Sequence, residues 1–358
     1  MQKKCLLFLI FTIILVTACV NAPQESNTTA NQPKNAGGKI KIGFAMDTVK
    51  EERWQRDRDL FDKRCKELGV ECSILVADNK ADKQVNDVDN LLTQGVNVLV
   101  IAPSNATQAA AMVEKAHKQG VPVISYDRLI NSDQLDLYIS HQVPVIGRMQ
   151  AEYALKKVPK GNYVMVYGDA NDNNALILQK AQMEVLRPAI ERGDIKIVAE
   201  QAARGWSRDE ALKIVENALT KNGDNIQAVI ASNDGTADGA ISALAAKGLA
   251  GKVLVTGQDA ELSALQRIAE GTQSMSIYKP IQPLAYGAVE AAIKLAKKEP
   301  IDAKDKIKSE TMTKEVPAIL LPLTVVEKEN IMSTVVKDGY QKFEDIYKNV
   351  PPDQRPKQ

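Results

Sequence analysis

The amino-acid sequence predicts an α/β protein built from two doubly wound, parallel-sheet (Rossmann-like) domains. Short apolar segments typical of buried strands alternate with amphipathic segments typical of helices, with a repeat of about 25 to 30 residues. The alternation runs twice along the chain and starts again after residue 140. The 358 residues are enough for two domains of ordinary size. Two successive runs of this kind favour two domains over one long sheet.

The boundaries of the elements follow from where the apolar pattern changes its period. In the first run we predict strands at residues 39–46, 72–77, 97–103 and 122–127, and helices at 54–68, 83–93 and 106–119. In the second run we predict strands at residues 162–167, 195–199, 228–232, 253–256 and 274–279, with helices between them. We assign residues 39–140 plus about 280–312 to an N-terminal lobe, and residues 141–279 plus about 313–345 to a C-terminal lobe.

The N-terminus has the pattern of an export signal. Lys3 and Lys4 precede an apolar run at residues 6–16, and small residues stand directly before Cys19. The run is too short for a comfortable transmembrane helix of about 20 residues. Residues 1–18 are therefore predicted to be a signal peptide, and Cys19 to be the acylated first residue of a lipoprotein. A plain signal peptide with an incidental cysteine is the alternative. Residues 19–38 are polar and read as a flexible linker to the lipid anchor.

Two cysteines remain after the signal and Cys19 are set aside. Cys65 is expected near the end of a helix and Cys72 at the start of the next strand. An extracytoplasmic compartment permits a disulfide, but geometry decides whether one forms. A bridge and two buried thiols both stay open at this point.

Polar residues follow most of the predicted strands. In open α/β sheets the ligand lies outside the carboxyl ends of the strands, so residues at these positions from both domains can meet in one cleft. Helix capping is the alternative for any one of them, because Asp and Asn are favoured N-caps. The residues are Asp47, Asp127, Asp169, Asp172, Asn233, Asp234 and Asp259.

The chain contains only two tryptophans, and neither lies in a predicted core strand. Trp54 stands among charged residues, and Trp206 stands at the start of a helix. A pyranose presents an apolar C–H face together with hydroxyls, so sugar sites combine flat aromatic rings with carboxylates, amides and Arg. One tryptophan in each domain fits a two-sided clamp on a sugar. Half-buried packing is the alternative.

Composition and motifs exclude several other functions. The formal net charge of +1 gives no electrostatic footprint for nucleic acid. The sequence has no GxSxG, GxxxxGK[ST], GxGxxG, CxxC or HExxH motif, so we expect no enzyme, cofactor or metal. The segment that starts at Asp169 resembles the beginning of a calcium loop. It has Asn174 in place of the turn glycine and Lys180 in place of the bidentate glutamate, so we reject calcium there.

Several long segments resemble the D-xylose-binding proteins of bacterial ABC transporters. Examples are GFAMDTVKEERWQRDRDLF, VISYDRLIN, DNNALILQKAQMEVLRP, VIASNDGTADGAISAL and GKVLVTGQDAEL, and the similarity covers about residues 39–295. This family belongs to the periplasmic binding proteins, together with the ribose and glucose/galactose receptors. The resemblance implies the type I periplasmic-binding-protein architecture, with a hinge between two lobes.

The resemblance also implies a set of sugar-binding residues. Most of the set coincides with the strand-end polar residues and the tryptophans, whereas Arg128, Asn174 and Lys279 come from the resemblance alone. The full set is Arg53, Trp54, Asp127, Arg128, Asp172, Asn174, Trp206, Asn233, Asp259 and Lys279.

One departure from the family lies at the first crossover between the lobes. The family tends to read Ser-Phe-Asp-Asn there, whereas this chain reads Ser140-His141-Gln142-Val143-Pro144. A neutral segment stiffened by proline replaces a hinge-side Asp-Asn pair. We therefore expect altered sugar contacts or an altered closing motion at this crossover.

Taken with the resemblance, these features predict a monomeric, extracytoplasmic lipoprotein anchored to the cell membrane. It is expected to capture a monosaccharide, D-xylose or a close relative, by hinged closure and to deliver it to the permease of an ABC transporter. The alternative partner is a membrane sensor histidine kinase. Neither partner involves nucleic acid.

Overall fold

A computed structural model describes residues 38–357 of the chain. The predicted signal peptide, the predicted acylation site Cys19 and nearly all of the predicted linker lie outside the described residues. Within residues 38–357, no helix combines the length and the apolar character needed to cross a membrane.

Thirteen strands and ten α-helices follow one another along the described chain. The strands are β1 Lys41–Met46, β2 Glu71–Val76, β3 Val98–Ile101, β4 Val123–Tyr126, β5 Leu137–His141, β6 Gly161–Tyr167, β7 Ile195–Ala202, β8 Ala228–Ala231, β9 Leu254–Val255, β10 Ser276–Tyr278, β11 Asp305–Ile307, β12 Val316–Leu321 and β13 Thr324–Val326. The helices are α1 Glu52–Glu67, α2 Ala81–Thr93, α3 Ala109–Lys118, α4 Val143–Lys157, α5 Asn173–Glu191, α6 Arg208–Lys221, α7 Asp234–Ala245, α8 Leu262–Glu270, α9 Ile281–Ala296 and α10 Phe343–Ile346.

The strands form two parallel sheets, one for each lobe. The first sheet has the order β11-β12-β5-β4-β3-β1-β2, and all its pairs are parallel except β11 with β12. The second sheet has the order β7-β6-β8-β9 and is entirely parallel. A separate antiparallel pair joins β10 to β13. The two parallel sheets confirm the predicted pair of doubly wound domains.

Both faces of each sheet are covered, which explains why the strands read as nearly continuous apolar runs. Successive side chains of a strand point to opposite faces. In β3, Leu99 and Ile101 therefore enter one core of the first lobe, and Val98 and Val100 enter the core on the other face. The strand β6 divides its side chains between the two faces of the second sheet in the same way.

The chain passes between the lobes at three places: after β5, after β10 and after β12. The last crossing follows Leu321, because β12 pairs with β5 in the first sheet. The expected lobe boundary near residue 312 is therefore too early. The short strand β11 is mostly exposed, so its hairpin with β12 left little apolar pattern in the sequence.

The first crossing leads directly into α4, a helix that the sequence analysis did not predict. Pro144 lies in its first turn. Proline is favourable there because its missing N–H would have no helical partner, and its fixed φ suits the helix. The proline that suggested a stiffened connection therefore begins a helix instead.

Cys65 and Cys72 form a disulfide with a Cα–Cα distance of 6.2 Å. The bridge joins the last turn of α1 to the start of β2. It resolves the alternative that the sequence left open. The covalent link also fixes the C-terminal end of the helix whose first turn carries Arg53 and Trp54.

Candidate functional site

A cavity lies between the lobes, at the carboxyl ends of the parallel strands. All ten residues that the sequence analysis selected line it, and four further residues complete the lining: Glu51, Val143, Leu178 and Gln258. Both lobes contribute to it, as the topology of open α/β sheets leads one to expect. Three strand-end residues of the first selection do not line the cavity. Asp47 pairs with Arg128, whereas Asp169 and Asp234 bond to the loops that carry Trp206 and Asp259.

Arg53 lies in the first turn of α1 and is almost fully buried. Its guanidinium donates to Asp57, one turn later in the helix, at 3.0 and 3.1 Å. It also donates to Asp127 at 2.9 Å and lies 3.6 Å from the carboxylate of Asp259. Burial on its own would lower the pKa of Arg53, but the carboxylates raise it well above its usual value. Arg53 therefore stays charged and joins carboxylates from both lobes.

Asp127 follows β4 with a left-handed backbone, at φ 58°. Its main-chain oxygen accepts hydrogen bonds from the hydroxyls of Tyr138 and Ser140 and from the side chain of Asn174. Such a conformation persists where the surroundings over-determine it, and it is common at functional sites. Burial opposes ionisation of the Asp127 carboxyl, but Arg53 together with a nearby lysine holds its pKa below its usual range.

Arg128 connects the lobes. Its guanidinium lies 2.6 Å from Asp47, on its own lobe, and 2.9 Å from Asp172, on the other lobe. The same group lies 5.1 Å from the ring centre of Trp54, within the range of a cation–π contact. Although burial opposes its charge, Asp172 and Asp47 raise the pKa of Arg128 further above its usual value. Arg128 therefore contacts Trp54 and links an aspartate of each lobe.

Trp206 reaches the cavity from the short turn that follows β7. Its indole N–H donates to Asp172 at 3.2 Å. The turn is tied down by Asp169, whose carboxylate accepts the backbone N–H of Gly205. The indole packs directly on the backbone of Gly168, where a Cβ atom would clash with the ring. Only glycine at position 168 leaves room for the observed position of Trp206.

Two polar residues of the second lobe act both as helix caps and as cavity lining. The side chain of Asp172 accepts from the first turn of α5, and that of Asn233 accepts from Thr236 in a capping box at α7. Helix capping and a place in the cleft were given as alternatives for these residues, and each of the two residues does both. Asp259, after β9, lies 2.8 Å from the ammonium group of Lys279, which follows β10.

Asp234, which comes next to Asn233 in the sequence, holds the loop that carries Asp259. Its carboxylate accepts from Ser276, Gln273 and the backbone N–H of Glu261. Burial raises the pKa of Asp234 to about 7. Its contacts fix the loop from both sides, so the position of Asp259 is set by a buried hydrogen-bond network.

The lobes also touch each other directly at one rim of the cavity. The side chain of Asn173 donates to the main-chain oxygen of Leu129 at 2.7 Å and to Asn131 at 2.6 Å. Close by, the main-chain oxygen of Asn171 accepts from the N–H of Ala106 at 3.0 Å. These contacts join the start of α5 to two loops of the first lobe. The structure therefore represents a closed arrangement of the lobes.

The crossover that departs from the family places an apolar residue on the cavity. Val143 lines the cavity, Gln142 is exposed and His141 is buried. A ring nitrogen of His141 lies 3.2 Å from the main-chain oxygen of Pro280, at the second crossing. Burial and the positive charge of Lys279 lower the pKa of His141 to about 3, so its ring is neutral.

No group of three or more His, Cys, Asp or Glu side chains in residues 38–357 is placed to hold a metal ion. Asp169, which opens the segment resembling a calcium loop, uses its carboxylate on the backbone N–H groups of Asn171 and Gly205. It therefore acts as a local structural anchor.

Comparison with known proteins assigns the family. The model of the periplasmic binding protein domain matches residues 42–300. The chain belongs to the periplasmic binding proteins. It is 43% identical to the D-xylose-binding periplasmic protein of Escherichia coli K12, over 93% of this chain and 98% of that protein. It is also 43% identical to the D-xylose-binding periplasmic protein of Haemophilus influenzae, over 86% of this chain and 92% of that protein.

Among solved structures, a carbohydrate transporter solute-binding protein from Chloroflexus aurantiacus, in complex with D-glucose, has the same fold. Its TM-score is 0.80 at 30% identity, and the match covers 86% of this chain and 98% of that one. These relatives confirm the predicted type I architecture and the predicted family. Because they are binding proteins, they also confirm that this periplasmic binding protein is not an enzyme.

Four cavity residues of this binding protein escaped the sequence analysis. Glu51 belongs to a run of charged residues and reads as part of a solvated helix start. Gln258 precedes a selected aspartate without being charged itself. Val143 was noted only as part of the crossover segment, and Leu178 has the pattern of an ordinary core residue of a helix. Of these four residues, only Gln258 could have been predicted from the sequence, because it is a polar residue directly beside the strand-end Asp259.

We expect Gly168→Ala to displace Trp206 from its place in this binding protein. The added methyl group overlaps the indole, and such overpacking lowers the free energy of unfolding by about 1–3 kcal/mol. In a Trp54→Phe background, Trp206 is the remaining tryptophan, so its fluorescence emission should shift to the red. Gly235→Ala is the control, because its Cβ would lie 3.6 Å from Asn233, at ordinary contact distance. Unchanged emission in Gly168→Ala would refute the packing described.

We expect the buried, neutral His141 to weaken this binding protein in acid. The unfolded chain takes up a proton at this residue near its usual pKa of about 6.5, whereas the native protein does so only near 3. The unfolded state therefore binds more protons below about pH 6.5, and stability falls as the pH falls. Lys279, Asp127 and Arg53 face the ring and are the same in any His141 variant.

The comparison is between the native protein and His141→Phe, by chemical denaturation at two pH values. Relative to the variant, the native protein should lose about 2 kcal/mol of unfolding free energy between about pH 8 and about pH 5. The two proteins can also differ in stability by a fixed amount at both pH values, provided that the pH-dependent loss is added to it. A difference that does not change with pH would contradict this expectation.

Proposed function

We propose that this chain is an extracytoplasmic receptor that captures a monosaccharide, D-xylose above all, by hinged closure and delivers it to an ABC transporter. The observation that carries the proposal is the composition of the closed cavity. Two tryptophans share its lining with carboxylate, amide, guanidinium and ammonium groups. A pyranose offers the matching surfaces, because it has an apolar C–H face and a rim of hydroxyls that both donate and accept.

The choice of D-xylose is supported by the two relatives at 43% identity, both named as D-xylose-binding proteins. The ten residues that resemble the family's sugar contacts also surround one cavity in this chain. Their direct role in binding sugar is part of the proposal. The apolar Val143 at the first crossover is the point at which this cavity departs from the pattern of the family.

Hinged closure is supported by the fact that both lobes contribute residues to the lining of the cavity. Arg53, Trp54 and Asp127 belong to the first lobe, whereas Asp172 and Trp206 belong to the second. A ligand that touches both sets binds the closed form better than the open form, so it shifts the population toward closure. A membrane partner can then recognise the closed form.

The membrane anchor and the identity of the partner also belong to the proposal. The basic start, the short apolar run and the small residues before Cys19 support a lipoprotein. The cavity residues do not distinguish a permease from a sensor histidine kinase, because either partner could respond to the closed form. We propose the permease, since the resemblance is to transport receptors.

Asp259→Asn should weaken D-xylose binding at least about tenfold, which corresponds to about 1.4 kcal/mol. The change removes an anionic acceptor that faces the cavity, and asparagine tolerates the left-handed backbone at this position, where φ is 97°. Asp78→Asn is the matched control, because Asp78 is exposed and also left-handed, at φ 55°. Isothermal titration calorimetry against a panel of pentoses and hexoses gives both affinity and sugar preference. Equal affinities in the two variants would remove Asp259 from the site.

Deleting the gene should lower the uptake of labelled D-xylose by the cells that carry it. The wild-type chain should restore uptake, and Cys19→Ala should restore less, because a chain without lipid is free to leave the membrane surface. Undiminished uptake in the deletion strain would contradict the transport role. If such a strain also lost its transcriptional response to D-xylose, the sensor alternative would replace the permease.

A further inference from the structure

Three buried oxygens around the cavity have neither a hydrogen-bond partner nor a paired cation within the part of the chain that the structure describes, whereas a fourth, Oδ1 of Asp259, is paired with Lys279. They are Oε2 of Glu51, Oδ1 of Asn174 and Oε1 of Gln258. Asn174 and Gln258 are only 7% and 6% exposed to solvent. Buried acceptors are almost always satisfied in proteins, so three of them around one cavity require an explanation.

Glu51 occupies the N-cap position of α1 but does not cap the helix. The short side chains of Ser, Thr, Asp and Asn are the ones that normally accept the free N–H groups of the first turn, so the longer Glu51 is not a typical cap. Here the side chain lines the cavity instead. Burial raises the pKa of Glu51, and the positive charge of Arg128 acts in the opposite direction. The Oε2 atom of Glu51 therefore stays without a partner at the edge of the cavity.

Gln258 is held in place through its backbone. Its main-chain oxygen accepts the N–H of Asp234 at 3.0 Å. The carboxylate of Asp234 in turn accepts the N–H of Glu261, so the intervening loop is fixed on both sides of Gln258. The side-chain amide is therefore presented to the cavity from a rigid support. Such support reduces the entropy that is lost when a ligand is bound.

The three aspartate carboxylates of the cavity differ from these three oxygens, because a cation already pairs with each of them. Asp127 lies 2.9 Å from Arg53, Asp172 lies 2.9 Å from Arg128, and Asp259 lies 2.8 Å from Lys279. A sugar hydroxyl that approaches a paired carboxylate must share it with the cation. A hydroxyl that approaches one of the three unpartnered oxygens gains the whole hydrogen bond.

We propose that Glu51 and Gln258, together with Asn174, accept hydrogen bonds from three hydroxyl groups of the bound sugar and so determine which hydroxyls it must carry. The inference rests on the proposed function and adds Glu51 and Gln258 to the ligand contacts. The ligand class is an unmodified polyhydroxylated ring. Replacing a hydroxyl by hydrogen or by a methyl ether removes the donor and leaves the protein oxygen buried without a partner.

The test combines protein variants with modified sugars. Calorimetry on the full chain measures the affinity of wild type, Glu51→Ala and Gln258→Ala for D-xylose and for its monodeoxy analogues. Glu114→Ala, an exposed change on α3 that also removes one carboxylate, is the control. Thermal melting without sugar shows whether each variant is folded.

For D-xylose we expect Glu51→Ala and Gln258→Ala each to bind at least tenfold more weakly than wild type, and Glu114→Ala to bind as wild type does. For each weakened variant, one deoxy analogue should bind variant and wild type equally, because the hydroxyl that met the missing oxygen is absent from it. The analogue for which variant and wild type have the same affinity identifies the hydroxyl that donates a hydrogen bond to the substituted residue.

The possible outcomes separate this inference from the function on which it rests. If the wild-type chain binds no monosaccharide, the proposed function itself fails. If it binds D-xylose and both folded variants bind equally well, this inference fails and the function stands. A loss of equal size for every analogue would also overturn it, because the residues would then act on the cavity as a whole.

Discussion

Arg128 connects the two lobes through buried carboxylates, and the closed cavity depends on this connection. Its guanidinium lies between Asp47 on one lobe and Asp172 on the other. Removing one partner of a buried ion pair costs about 3–5 kcal/mol, because it leaves an uncompensated charge in the interior. Each charge at this interface therefore depends on residues that come from distant parts of the chain. Asp172 also holds the indole of Trp206, so the same contact that joins the lobes positions an aromatic wall.

This arrangement separates two kinds of polar group in one cavity. Ion pairs between Arg53, Arg128 or Lys279 and nearby aspartates keep the walls charged and rigid without a ligand. Such pairs contribute little net stability, because the attraction between the charges is largely offset by the loss of hydration. Neutral amides and the half-buried Glu51 are not bound into these pairs. A neutral polyol suits this arrangement better than a charged ligand, because it can meet acceptors and donors without disturbing the balance of charge.

The sequence predicted the two parallel sheets and ten cavity residues, because strand-end polar residues and isolated tryptophans follow from local pattern and from the family resemblance. Other features depend on contacts that no local pattern contains. Gly168 matters because an indole from a turn beyond the next strand rests on it. Helix α4 was not predicted, because a proline such as Pro144 is equally compatible with a stiff connection and with the first turn of a helix. The late third crossing, after Leu321, depends on a pairing between β12 and β5, which are far apart in the chain.

In the proposed complex, one sugar ring lies between Trp54 and Trp206, and polar groups of both lobes form hydrogen bonds with its hydroxyls. A crystal structure of the chain grown with D-xylose tests this most directly. We expect one sugar in the interlobe cavity, both indoles in contact with its ring, and hydroxyl oxygens about 2.6–3.2 Å from side chains of each lobe. A sugar bound outside this cavity, or held by one lobe alone without either tryptophan, would contradict it.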